Sequence, residues 1–67
     1  MREIQAIRGL GNKLLGRLYE DSQPGDQVIM DARGTLKGRY IMSSDSTFDH
    51  NGKKIGYGNL LMMLLKE

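Results

Sequence analysis

Five cations fall between positions 33 and 54, at Arg33, Lys37, Arg39, Lys53 and Lys54, with Tyr40 and Phe48 interleaved among them and Tyr57 just beyond. The chemistry such a set could do is phosphate binding, the cations neutralising charge in a salt-sensitive way and the rings offering stacking surfaces to bases. The same residues also have a structural use. Basic side chains keep strand faces and edges solvated, and three aromatics in a small sheet pack in its core or at its rim.

His50 adjoins Asp49 and follows Ser43, Ser44, Asp45 and Ser46, which are the residue types of a hydrolytic site. A general base must be held in place and shielded, and a histidine at a turn tip is neither. Gly9-Leu10-Gly11-Asn12-Lys13 has the glycines of an anion-binding loop, yet its spacing fits neither the Walker nor the dinucleotide pattern. Asp45, Asp49 and Asn51 lack the alternating ligands and closing glutamate of a calcium loop. With no cysteine and one histidine, neither a disulfide nor a structural zinc set can form. No catalytic residue, metal or cofactor is expected, and the chain reads as a non-enzyme.

The elements that position these residues are set by a repeated phrase. Asp31-Ala32-Arg33-Gly34 followed by Gly38 recurs as Asp49-His50-Asn51-Gly52 followed by Gly56. In each copy an aspartate opens a four-residue turn and a glycine closes it, the chemistry of a type I turn with a left-handed glycine bulge. Two hairpins follow, with strands over 27–31, 35–42, 47–49 and 53–57 in an antiparallel meander. In the second strand Leu36, Gly38, Tyr40 and Met42 share one face and Lys37 and Arg39 the other, and a slip of one residue would exchange the two sets. The phrase Phe48-Asp49-His50-Asn51-Gly52 is similar to the aromatic-Asp-x-x-Gly turns of tandem β-hairpin repeat proteins. That resemblance covers five residues, implies the turn and carries no function with it.

Over 4–19 the apolar residues Ile4, Ile7, Leu10, Leu14, Leu15, Leu18 and Tyr19 fill about half of a helical wheel, which predicts an amphipathic helix. Gly9, Gly11 and Gly16 each oppose it by ~1 kcal/mol relative to alanine, and Gly11, within the apolar arc, reads as a close-packing position. The alternative is an extended segment over 2–8 with a helix starting near Asn12. Pro24-Gly25 then breaks the chain before the first hairpin. At the other end Asn59 caps an apolar run, Leu60, Leu61, Met62, Met63, Leu64 and Leu65, read as a short helix with Lys66 in its last turn.

The fold expected is α+β, one small domain over 1–67: a four-stranded antiparallel meander of two Asp-x-x-Gly hairpins, with an N-terminal amphipathic helix and a short apolar C-terminal helix on one face. At 67 residues the chain buries only ~60% of its unfolded surface and has no covalent staple. A helix apolar on every side has more to bury than a small sheet can cover. Residues 60–65 are therefore expected at a homo-oligomer interface, dimer or higher, with Met62 and Met63 as adaptable packing.

The net charge of +2 is a mild excess. The sequence shows no signal core and no apolar run of membrane-spanning length, which points to a cytoplasmic protein, and a short unstapled chain suits a phage or accessory bacterial gene. The expected function is a small non-enzymatic binding module that self-associates through its apolar helices and presents a sheet face or hairpin tips to a protein partner. The competing expectation is binding of nucleic acid or a phosphorylated small ligand through Arg33, Lys37, Arg39, Lys53 and Lys54.

Overall fold

Both Asp-x-x-Gly phrases fold into the same turn, hydrogen bond for hydrogen bond. In the computed structural model, which describes residues 1–65, the N–H of Gly34 donates to the Asp31 carbonyl at 2.9 Å and the N–H of Asp31 to the Thr35 carbonyl at 2.9 Å. In the second copy the N–H of Gly52 donates to the Asp49 carbonyl at 3.0 Å and that of Asp49 to the Lys53 carbonyl at 2.9 Å. The aspartate side chain completes each turn. Asp31 Oδ1 accepts the N–H groups of Arg33 and Thr35, and Asp49 Oδ1 those of Asn51 and Lys53. Gly34 and Gly52 stand at φ 87° and 84°, a conformation that strains an L side chain.

Outside these turns the structure corrects the expected α+β class: it is all-β. The strands β1 (Arg2–Arg8), β2 (Leu14–Glu20), β3 (Gln27–Asp31), β4 (Leu36–Ile41), β5 (Ser46–Asp49) and β6 (Lys54–Tyr57) pair in sequence order into one six-stranded antiparallel sheet. Strands β3 to β6 form the expected meander, and β1 and β2 stand in place of the N-terminal helix. The helical periodicity over 4–19 has a structural cause. Between β1 and β2 the register skips Ile4 and again Leu15, and each such bulge interrupts the alternation by which a strand is recognised. The extended alternative over 2–8 matches β1; the helix starting near Asn12 is replaced by β2.

The glycines that opposed the helix belong to a third hairpin. The N–H of Gly9 donates to the Lys13 carbonyl at 2.8 Å and that of Asn12 to the Gly9 carbonyl at 3.1 Å, the same two backbone bonds as in the other turns. Asn12, at φ 62°, takes the position of Gly34 and Gly52. Gly16 follows Gly9 by seven residues, as Gly38 follows Asp31 and Gly56 follows Asp49. The chain is thus three hairpins in tandem, the first lacking the aspartate.

The expected C-terminal helix is reduced to a single 3-10 turn, Leu61–Leu64. Residues 60–65 run across the sheet instead, as a strap laid on the last glycine of each repeated phrase, Gly16, Gly38 and Gly56. A β-carbon at Gly56 would stand 2.7 Å from Leu60 Cδ1, one at Gly38 would collide with Leu64 Cδ1, and one at Gly16 would lie 3.0 Å from both methyls of Leu65. From β6 to β2 is four strand spacings, ~19 Å. An α-helix would advance only ~7.5 Å over those residues, so a more extended path is required.

Thr47 fastens the start of the strap: its Oγ1 donates to the Gly58 carbonyl at 2.6 Å and accepts the N–H of Leu60 at 3.0 Å. Asn59 adds a bond from Nδ2 to Gln27 Oε1 at 2.7 Å, and its Oδ1 accepts the N–H of Leu61 at 3.2 Å. Ile29 on the strap side of the sheet and Leu61 in the strap are both fully buried, each worth roughly 1.5–3 kcal/mol. Among the described residues no helix is long and apolar enough to cross a membrane.

Candidate functional site

Antiparallel partners share a face of the sheet and successive residues alternate. Gly16, Ile29, Gly38, Thr47 and Gly56 therefore lie on the strap side. The other face, which the strap leaves open, is crossed by a row of directly paired residues, Glu3, Tyr19, Val28, Arg39, Phe48 and Lys54, one from each strand. Arg17, paired with Ala6 and Met30, and Tyr57, paired with Ser46, flank it on the same face.

Within this row the ring of Phe48 stands between the cations Arg39 and Lys54, and Val28 separates Arg39 from the ring of Tyr19. Cross-strand neighbours have β-carbons roughly 4.5–5.5 Å apart, close enough for Arg39 to touch Phe48 on one side and Val28 on the other. Val28 is buried, Tyr19 and Phe48 are half-buried, and Arg39, Lys54 and Tyr57 are exposed. Lys54 Nζ sits 3.5 Å from the centroid of the Tyr57 ring, a cation held against an aromatic face. Arg17 Nε lies 3.4 Å from Glu3 Oε1.

The open face is net positive, and the strap side carries both signs, Arg2 lying against Glu20 at 3.0 Å there. Arg17, Arg39 and Lys54 stand on the open face against Glu3, whereas Glu20, Asp31 and Asp49 occupy strap-side positions. The turns favour the ionised form of Asp31 and Asp49. The Thr35 N–H, with help from that of Arg33 and the charge of Lys37, holds the Asp31 carboxyl below its ordinary pKa. Asp49 is lowered in the same way, first by the Lys53 N–H and then by that of Asn51.

The five cations singled out in the sequence do not form one site. Arg39 and Lys54 come together around Phe48 on the open face. Arg33 and Lys37 stand at the β3–β4 turn, where Lys37 Nζ is 3.8 Å from Asp31 Oδ2. Lys53 is exposed in the β5–β6 turn beside the equally exposed His50. Of the rings, Tyr40 lies on the strap side, and its hydroxyl donates to Asp45 Oδ1 at 2.7 Å, which raises its pKa above that of a free phenol. Leu60, Leu61, Leu64 and Leu65 turn toward the chain's own sheet, while Met62 and Met63 are exposed. Arg17 and Tyr19 are the members of the open face that the sequence reading missed, because they lay inside the expected helix. Their alternation with Gly16 and Leu18 is the signal that would have found them.

Comparison with protein-family models, with curated proteins and with solved structures returns no significant match. The fold is a three-hairpin antiparallel sheet, crossed on one face by its own C-terminal strap and open on the other.

Proposed function

We propose that the protein is a small non-enzymatic binding module that takes single-stranded nucleic acid on the open face of its sheet. The observation that carries this reading is the paired row in which Phe48 stands between Arg39 and Lys54, with Tyr19 beyond Val28 on the same face. A sheet that offers rings for base stacking beside cations for phosphates binds single strands with little regard for sequence. The net positive charge of the open face, three cations against Glu3, supports the same partner.

A fluorescence anisotropy titration with labelled oligo(dT), repeated over a series of salt concentrations, tests it. Three cations on the face predict a slope of about −2 in log affinity against log salt. Arg39→Ser with Lys54→Ser is expected to weaken binding and flatten that slope. Absence of binding at low salt, or an unchanged slope in the double variant, would overturn the proposal and favour a protein partner for this face.

A second reading, self-association, draws on Met62 and Met63, which are 53% and 69% exposed on the strap. Light scattering behind a sizing column tests it: a dimer that Met62→Ser with Met63→Ser converts to monomer supports it, and a wild-type monomer ends it.

A further inference from the structure

The strap side of the sheet carries a groove of about 480 Å³ at the end where the first two hairpin turns meet the strap. Its cations are Lys13 from the β1–β2 turn, Arg33 from the β3–β4 turn and Lys37 from the start of β4. Leu14 and Leu15 from β2, with Leu64 and Leu65 from the strap, supply apolar walls. Asp31 is the acidic residue lining it. Its Oδ1 is already taken by the N–H groups of Arg33 and Thr35, and its Oδ2 faces Lys37 at 3.8 Å. Its lining thus sets three cations, of which Lys37 and Arg33 both act on Asp31, against that one carboxylate, a net positive charge beside four leucines.

We propose that this groove is a binding site for a small anionic amphiphile, a carboxylate carried on an apolar chain. Its volume lies within the range of small-ligand sites, which are mostly apolar with a few placed polar groups. The leucines bury the hydrocarbon, and the guanidinium and ammonium groups take the carboxylate as charge-assisted donors. A bare phosphate would leave the leucine walls unused, and a neutral chain would leave the cations unpaired. The site lies on the opposite side of the sheet from the nucleic-acid face and does not depend on it. Its residues come from parts of the chain that the repeat brings together, Lys13 and Arg33 each lying inside a hairpin turn of the same construction.

Calorimetric titration with octanoate, octan-1-ol and octyltrimethylammonium, at matched ionic strength, tests the assignment. Octanoate is expected to bind, with both other probes weaker by at least about tenfold, the factor that loss of one charge-assisted contact produces. Arg33→Ser with Lys37→Ser is expected to lower octanoate affinity by a similar factor, and Lys53→Ser in the other turn to leave it unchanged. Melting curves establish that each variant folds, and the exposed Lys13→Ser serves if the double variant does not. Amide shifts on octanoate addition are expected at Leu14 and Leu65. No octanoate binding, equal binding of octan-1-ol, or full affinity in the cation variants would overturn the proposal.

Discussion

Leu64 Cδ1 fills the space in which a β-carbon on Gly38 would stand. That relationship explains why the repeated phrase ends in a glycine, and Leu60 over Gly56 and Leu65 over Gly16 repeat it in the other hairpins. The strap and the repeat are one design: each hairpin leaves a gap in its second strand, and one leucine of the C-terminal run enters each gap.

Alanine at these glycines should destabilise the protein in a fixed order. At Gly38 the new carbon would also stand 2.6 Å from the Phe48 carbonyl oxygen, and at Gly16 it would collide with that of Met30, so backbone must shift in both. At Gly56 it would meet only a leucine methyl. Overpacking of this kind costs about 1–3 kcal/mol. Urea denaturation should place Gly38→Ala and Gly16→Ala in that range and Gly56→Ala below both.

The strap contributes one residue to the core, Leu61. Leu61 is fully buried, so Leu61→Ala should cost about 2–5 kcal/mol. Met63, two positions on, is 69% exposed, and Met63→Ala should change stability by no more than about 0.5 kcal/mol. Equal effects of the two on the urea midpoint would mean the strap does not lie as described.

Thr47 is fully buried, and its hydroxyl both donates to Gly58 and accepts from Leu60. Thr47→Val keeps the shape, removes both bonds and leaves two backbone groups unsatisfied, at a cost of about 1–3 kcal/mol. Hydrogen exchange at the Leu60 amide should accelerate in this variant by more than at Ile29, since the bond lost belongs to the strap.

Acid should loosen the second and third turns together. The folded carboxyls of Asp31 and Asp49 have pKa values below the ordinary 3.8, so the stability they contribute is present above that value and is lost as pH falls through the lowered folded ones. Melting temperature should therefore drop as pH is taken below about 4. The Asp31→Ala with Asp49→Ala variant should melt lower at neutral pH, and its deficit should shrink toward zero in acid.

The sequence disclosed the second and third hairpins because their turns are written in side-chain chemistry that acts locally: an aspartate that accepts two N–H groups and a glycine free to take positive φ. The first hairpin was hidden by substitutions that the backbone tolerates. Gly9 in place of aspartate removes the side-chain acceptor, and Asn12 in place of glycine still reaches the left-handed region. Bulges at Ile4 and Leu15 then gave the flanking strands a helical period. The strap was hidden for a different reason. A run of leucine and methionine favours helix by itself, and only the glycine gaps of distant strands, together with the span from β6 to β2, favour a single 3-10 turn laid across the sheet over an α-helix. Arg39 and Lys54 were visible as candidates, but their union around Phe48 is a product of register, which local chemistry does not write.

The open face is tested most directly by amide chemical-shift mapping of the labelled protein during titration with unlabelled oligo(dT). Shifts are expected to cluster at Arg17, Tyr19, Arg39, Phe48, Lys54 and Tyr57, with Gly38, Thr47 and the strap residues moving least. Shifts confined to the hairpin tips at Arg33 and Lys53, or the absence of any shift at low salt, would contradict nucleic-acid binding on this face.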